Sequence, residues 1–133
     1  MSSISHFQNI YAQNTKNIPE YYKALNDGGF ATHLGYRMTA DDQIRKFAIM
    51  RLMCDLELEK RAVESRFGIS FDEYFAGSIH GLQQFVDDGL VILSTDKISI
   101  VGAGRLLLRN IAMCFDAYLD SMKKDKPVFS RTV

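Results

Sequence analysis

The pattern of apolar positions changes character near residue 38. Residues 1–38 keep no sustained apolar period and are rich in Gln, Asn, Ser, Tyr and Gly. One short helix is expected there, from Pro19 to Leu25, with Pro19 at its first position. The rest of this segment is predicted to be an extended arm that leans on another surface.

From Thr39 onward the apolar residues recur at helical spacing. Thr39 and the two acids at 41 and 42 form an N-terminal capping pattern. Apolar residues three and four apart then predict a central helix through Leu58. A shorter helix over 60–67, stopped by Gly68, and a third helix over 71–87 are expected to follow.

A β-hairpin and a closing helix complete the pattern. Residues 90–93 and 98–101 are typical of two strands joined by a turn, and a helix is predicted over 105–122. The predicted fold is therefore mainly α with a small β-hairpin. It has a winged-helix-like three-helix core with a closing C-terminal helix over 39–122, preceded by the extended arm over 1–38 and followed by an irregular tail over 123–133.

Composition narrows the class of protein. The 133 residues are 47% hydrophobic and 24% charged, as expected of an ordinary globular domain. Sixteen Lys and Arg balance sixteen Asp and Glu, so no net charge draws the chain to nucleic acid. No apolar stretch approaches a membrane span, the start lacks a signal-peptide pattern, and the two cysteines favour a reducing compartment. We therefore predict a soluble, cytoplasmic protein.

Winged-helix topology raises the possibility of DNA binding, which the charges of the third helix disfavour. Residues 71–89 contain four carboxylates and no Lys or Arg. A helix of this charge is repelled by the phosphate backbone, and the hairpin turn adds only one lysine, beside an aspartate. A packing or protein-interaction module is the better interpretation.

Few residues suggest chemistry of their own. The three histidines have no metal-ligand spacing and two cysteines cannot form a four-thiolate site, so no metal site is predicted. Arg105 and Arg109 are four residues apart on the predicted closing helix. Two interpretations stay open: they clamp carboxylates of a ligand, or they pair with Asp41, Asp42 or Asp87.

Seven segments, in order along the whole chain, carry a family resemblance: Ser3–Ser5, Tyr11–Asn14, Asp41–Arg45, Tyr74–Phe75, Asp87–Val91, Gly104–Leu119 and Phe129–Arg131. Together they resemble the C-terminal region of the oxygen-independent coproporphyrinogen III oxidases, the HemN family. An ordered series of this kind is more specific than one short motif.

The resemblance implies a radical SAM parent enzyme. In that family a barrel domain binds a [4Fe–4S] cluster through C-x-x-x-C-x-x-C, and S-adenosylmethionine yields a radical that decarboxylates two propionates of coproporphyrinogen III, giving protoporphyrinogen IX in anaerobic haem biosynthesis. This chain lacks the cysteine motif. Its first five residues resemble the exit from the barrel's last strand. We therefore expect the barrel in a longer parent chain, and no catalysis or bound cofactor from this fragment alone.

The resemblance also assigns expected roles to single residues. Ile4 and Ser5 are candidates for contact with the cofactor or the substrate. Arg105, Arg109 and Arg131 are candidates for binding substrate propionates, with interdomain ion pairing as the equal alternative. The fragment is expected to cover the open side of the barrel and help enclose the tetrapyrrole. The competing hypothesis is a winged-helix module that binds proteins or nucleic acid and has no enzymatic role.

Overall fold

The computed structural model describes residues 3–119, and the chain divides between Gln43 and Ile44 into two compact units. Helices and small antiparallel sheets are mixed in it. The elements are, in chain order, β1 (Ile4–Phe7), β2 (Ile10–Asn14), α1 (Ile18–Asn26), β3 (Thr32–Arg37), α2 (Ala40–Asp55), β4 (Glu57–Glu59), α3 (Lys60–Phe67), α4 (Phe71–Tyr74), α5 (Ala76–Asp87), β5 (Val91–Leu93), β6 (Lys97–Ile100), a 3-10 helix (Gly102–Leu107) and α6 (Leu108–Met113).

The first unit contains a three-stranded antiparallel sheet in the order β1-β2-β3. Gln8 turns the chain between β1 and β2 with φ of 53°, a left-handed conformation that glycine usually takes. Helix α1 connects β2 to β3. The side chain of Asn17 caps it by accepting the Glu20 N–H at 3.3 Å. The predicted helix is therefore present, but it begins at Ile18, so Pro19 is its second residue rather than its first.

The prediction of an extended arm over residues 1–38 was wrong in its secondary structure, because it missed this sheet. Its strands are exposed or half-buried along their whole length. A strand with one buried face shows alternating apolar and polar residues, and a strand without such a face does not. Among the described residues of this unit, Ala31 and Met38 are the only buried apolar side chains.

Helix α2 begins where the capping pattern predicts. Thr39 Oγ1 accepts the Asp42 N–H at 3.1 Å, and the Asp42 carboxylate accepts the Thr39 N–H at 2.7 Å, which is a capping box. The Tyr36 hydroxyl adds a 2.6 Å hydrogen bond to the same carboxylate. The end of β3 is thereby fixed to the start of α2.

The central helix ends earlier than predicted. It stops at Asp55 rather than Leu58, because Leu56 takes a left-handed φ of 60°. The chain then forms β4, where the sequence pattern indicated helix. Leu58 is completely buried in this strand. An apolar residue at this position fits the buried face of a helix as well as that of a strand, so its apolar character could not distinguish the two.

The next helices follow the predicted positions with one change. Gly68 ends α3 in a left-handed conformation with φ of 67°, as expected. The third predicted helix is divided into α4 and α5 at Phe75, whose φ and ψ are −102° and 22°. Phe75 is buried, and its ring lies 5.2 Å from that of Phe115. Tertiary packing of this ring favours the break over a continuous helix.

The predicted hairpin is confirmed as β5 and β6. Their sheet has the order β4-β6-β5, so the unpredicted β4 adds a third strand, with Glu57 opposite Ser99. Lys97 Nζ lies 2.8 Å from Glu57 Oε2. This hydrogen bond lowers the pKa of Glu57 and raises the pKa of Lys97.

The closing helix predicted over 105–122 was wrong in form. The chain makes the 3-10 helix first and only then the short α6, which ends at Met113. Gly104 is buried against the backbone carbonyl of Leu90, and its N–H donates to Val101 O. This close approach holds the segment in tight 3-10 turns. The predicted tail over 123–133 lies outside the described residues.

One hydrophobic core lies in the second unit. It joins side chains from every helix from α2 to α6 and from all three strands of the second sheet. Its members are Ile44, Ala48, Leu52, Leu58, Val63, Phe71, Phe75, Leu82, Val91, Ile98, Ile100, Ile111 and Phe115.

Candidate functional site

The two candidate cofactor residues lie on β1, an edge strand of the first sheet. Successive side chains of a strand point to opposite faces, so Ile4 and Ser5 face opposite sides. Directly paired residues of antiparallel strands share a face. Ile4 is opposite Gln13, which is opposite Leu34, whereas Ser5 belongs to a different row.

The sheet therefore has two faces of different composition. We call the first the Ile4 face; it consists of Ile4, His6, Tyr11, Gln13, Leu34 and Tyr36. We call the second the Ser5 face; it consists of Ser5, Phe7, Ile10, Ala12, Gly35 and Arg37. Large apolar side chains are exposed on both, Ile4 to 64% and Phe7 to 72%. Within the first unit, neither face of the sheet packs against a hydrophobic core.

The Ile4 face contains an ordered row of rings. His6 and Tyr11 are paired across strands with ring centroids 4.5 Å apart, and Tyr36 is opposite Tyr11 in the next strand. The Tyr36 hydroxyl is held by Asp42. Sequence reasoning missed this row, because strand pairing decides which residues are neighbours. No alternation of apolar and polar residues marks Ile4–Phe7, which reads Ile-Ser-His-Phe.

A concave pocket with a volume of about 350 Å³ lies at one end of the same sheet. Gln13 and Leu34 line it from the Ile4 face, and the start of α1 forms another side. Most of the residues that line it are of polar types. The residues are Gln13, Asn14, Thr15, Lys16, Asn17, Glu20, His33 and Leu34.

Arg105 and Arg109 lie close in sequence but in different elements. Arg105 is in the 3-10 helix and Arg109 in α6, and both are exposed. Within the second unit, neither forms an ion pair or hydrogen bond with a described residue, and Asp87 instead accepts a hydrogen bond from Gln83. Leu106 between them is 87% exposed. The third candidate, Arg131, lies outside the described residues.

Another arginine, Arg45 of α2, is used structurally. Its guanidinium donates to the Phe115 carbonyl at 3.1 Å and lies 5.6 Å from the Phe75 ring centroid. It therefore binds a backbone carbonyl that lies beyond the end of α6. The sequence pattern did not single out this residue.

The residues of this chain do not fit an iron–sulfur cluster. The C-x-x-x-C-x-x-C motif supplies three thiolates to such a cluster, and the chain has only two cysteines. Cys54 is exposed on α2, while burial raises the pKa of the half-buried Cys114 thiol. Over residues 3–119, no group of three His, Cys, Asp or Glu side chains is arranged to hold a metal ion.

Within the described part of the chain, no helix combines the length and apolar character needed to cross a membrane. Among the residues that the structure describes, the longest helix is α2, which has sixteen residues and carries several charges.

Three comparisons with known proteins agree with one another. Residues 38–107 match the family model of the HemN C-terminal domain. Over 133 residues the chain is 41% identical to the oxygen-independent coproporphyrinogen III oxidase of Salmonella typhimurium and 38% identical to that of Pseudomonas aeruginosa. It is 37% identical over 134 residues to the enzyme of that name from Thermostichus vulcanus.

These relatives are much longer than the chain. All of the chain is matched in each case, but it spans 29%, 28% and 41% of the three relatives, respectively. A solved structure of the coproporphyrinogen III oxidase HemN from Escherichia coli, described as a radical SAM enzyme, matches 87% of the chain at a TM-score of 0.84 and 39% identity, over 27% of its own length. The chain therefore belongs to the family of HemN C-terminal domains.

Proposed function

We propose that this chain forms the C-terminal part of an oxygen-independent coproporphyrinogen III oxidase in the cytoplasm. The observation that carries the proposal is the match of all 133 residues, at 38% to 41% identity, to two enzymes of that name. The whole enzyme would convert coproporphyrinogen III to protoporphyrinogen IX by oxidative decarboxylation, in anaerobic haem biosynthesis.

In this proposal the barrel and its cluster belong to another part of the longer protein. S-adenosylmethionine, when bound there, supplies the radical chemistry that removes a hydrogen atom from a substrate propionate. The residues of this chain bind and enclose the substrate instead. By excluding water and oxidants they protect a reactive substrate, which is an expected task for a cover over an active site.

The first unit supports a covering role because its sheet has no core of its own. A three-stranded sheet needs at least one packed apolar face for stability. Both faces of this sheet expose large apolar side chains, among them Phe7 and Leu34. We assign residues 1–38 to the connection that leaves the barrel, and we infer that the rest of the longer protein packs on this sheet.

We propose that residues 39–122 form a winged-helix-like domain. Three features support this interpretation: the helices α2, α3 and α5, the hairpin β5–β6, and the added strand β4 between α2 and α3. The family uses this domain in an enzyme rather than on DNA. The acids of α4 and α5 fit that use, since carboxylates repel a duplex.

Arg105 and Arg109 are our candidates for binding substrate propionates, together with Arg131. The first two are exposed and make no ion pair within the described second unit, so their guanidinium groups have no competing carboxylate there. Ile4 and Ser5 are our candidates for contact with S-adenosylmethionine.

The whole enzyme tests the proposed activity. Purified without oxygen and supplied with S-adenosylmethionine, a reductant and coproporphyrinogen III, it is expected to release two molecules of CO₂ per protoporphyrinogen formed. Failure to release CO₂ with an intact cluster would contradict the proposal.

The arginine role has a separate test. We expect Arg105→Ala/Arg109→Ala to weaken coproporphyrin binding by the whole enzyme at least tenfold, about 1.4 kcal/mol, as followed by porphyrin absorbance. The control is Arg61→Ala/Arg66→Ala, which removes the same charge from exposed positions of α3. An equal loss in the control would mean that net charge, rather than these two side chains, governs binding.

A further inference from the structure

Strand β3 is irregular beside the pocket at the end of the first sheet. Gln13 of β2 lies opposite Leu34 of β3. The next residue of β2, Asn14, lies opposite Thr32, so His33 has no directly opposite residue. An extra residue of this kind is a β-bulge, and bulges redirect side chains beside functional sites. Adjacent residues of a regular strand face opposite sides, yet His33 and Leu34 both line the pocket.

The start of α1 already uses part of the polar lining. The Thr15 hydroxyl donates to the Glu20 carboxylate at 3.0 Å and accepts the Asn17 N–H at 3.2 Å. The Asn17 side chain in turn accepts the Glu20 N–H. Glu20 also lies in the first turn of α1, where the helix dipole stabilises a carboxylate. Its negative charge is therefore stabilised within this local network, without an ion pair to Lys16.

Three other side chains of the lining have hydrogen-bond donors that are not used within the described part of the chain. They are the Asn14 amide, the Lys16 ammonium and the His33 imidazole, none of which forms a side-chain hydrogen bond, an ion pair or a ring contact there. All three groups carry N–H donors. A ligand that satisfies several donors, one of them cationic, is a carboxylate.

We propose that this pocket binds a carboxylate and that Lys16, His33 and Asn14 hold it. The carboxylate is taken to be a propionate of coproporphyrinogen III, so the assignment rests on the proposed function. Leu34 is 57% exposed and offers apolar contact to the methylene groups between the carboxylate and the macrocycle. The volume of about 350 Å³ is near the lower end for ligand pockets and suits one side arm of the substrate.

This pocket is separate from the arginine candidates. All of its residues belong to the first unit, whereas Arg105 and Arg109 belong to the second. The substrate carries four propionates, so it can engage more than one cationic site. Loss of one site therefore leaves the other proposal standing.

The test measures coproporphyrin binding by the whole enzyme with its cluster, from the change in porphyrin absorbance. Coproporphyrin is the stable oxidised form of the substrate and carries the same four propionates. Lys16→Met/His33→Leu removes the ammonium and the imidazole, and we expect it to raise the dissociation constant at least about tenfold. The matched control is Lys23→Met/His80→Leu, which removes the same groups from exposed positions outside the pocket. It should change the constant by less than about threefold.

The possible failures are distinguishable. A wild type that does not bind coproporphyrin contradicts the proposed function itself. If the wild type binds and Lys16→Met/His33→Leu binds equally well, only the pocket assignment is wrong. Equal losses in both double variants would also overturn it, since net charge would then govern binding. A lower melting temperature with an unchanged dissociation constant would overturn it too, and would assign the pocket to a carboxylate side chain of the longer protein.

Discussion

At the scale of single residues, Lys60 is a buried side chain whose ammonium is paired with one carboxylate. The residue is 8% exposed, and its Nζ lies 2.7 Å from Asp72 Oδ1. The ammonium also lies 5.8 Å from the Phe71 ring centroid. An ammonium removed from water needs such partners, because an unpaired buried charge is costly.

Removal of the carboxylate is therefore expected to destabilise the second unit. Asp72→Ala should lower the free energy of unfolding by about 1 kcal/mol, a modest value because Asp72 itself is largely exposed. Urea unfolding followed by circular dichroism measures it. Glu73→Ala, an exposed acid on the same helix, is the control and should change the value by less than about 0.5 kcal/mol. Equal effects of the two variants would contradict a specific role for the pair.

At the scale of elements, Gly104 explains why the chain enters α6 through a 3-10 helix. A Cβ at this position would overlap the Leu90 carbonyl and lie 3.0 Å from Ile100 Cγ2. The glycine thus lets the 3-10 helix approach the backbone that leads into β5. Its neighbour Gly102 has a positive φ of 51°, but a Cβ there would meet open space.

Two glycine substitutions are expected to have opposite signs. Gly104→Ala should lower the free energy of unfolding by about 2 kcal/mol, since backbone rather than a flexible side chain must move. Gly77→Ala lies in α5 with open space around its Cβ and should raise that free energy by up to about 1 kcal/mol. Thermal unfolding measures both. A stable Gly104→Ala variant would mean that the close contact with Leu90 is not required.

At the scale of the whole molecule, the two units differ in how they are stabilised. The second unit contains one continuous hydrophobic core, with Leu52, Leu58 and Ile98 completely inaccessible to solvent. The described part of the first unit buries only Ala31 and Met38. The stability of its sheet depends mainly on backbone hydrogen bonds between strands, because the side chains on both faces are exposed or half-buried.

This difference predicts unequal protection from hydrogen exchange in the 133-residue chain. Amides of β1, β2 and β3 should exchange at least about tenfold faster than those of β6, because local opening exposes little new apolar surface. Mass spectrometry of deuterium uptake measures this difference. In the whole enzyme the first sheet should become protected, since another part of the protein would cover it. Equal protection of both units in the isolated chain would contradict the argument.

The sequence by itself determined the elements whose signals are local. The capping box of α2, the left-handed glycine that ends α3 and the β5–β6 hairpin depend on residues within a few positions of one another. The ordered family segments also lie in the sequence, and the comparisons confirm the family they indicated.

Tertiary structure decided what depends on distant partners. Strand β4 exists because Glu57 and Leu58 pair with Ser99 and Ile98 of β6, which lie far along the chain. The first sheet was missed because no buried face marks its strands. The same reason limited what the sequence could predict about the candidate site. Ile4 and Ser5 are neighbours in sequence, yet strand alternation separates them and strand pairing brings Gln13 to Ile4. Such neighbours are set by backbone hydrogen bonds between strands, which no local pattern of side chains encodes.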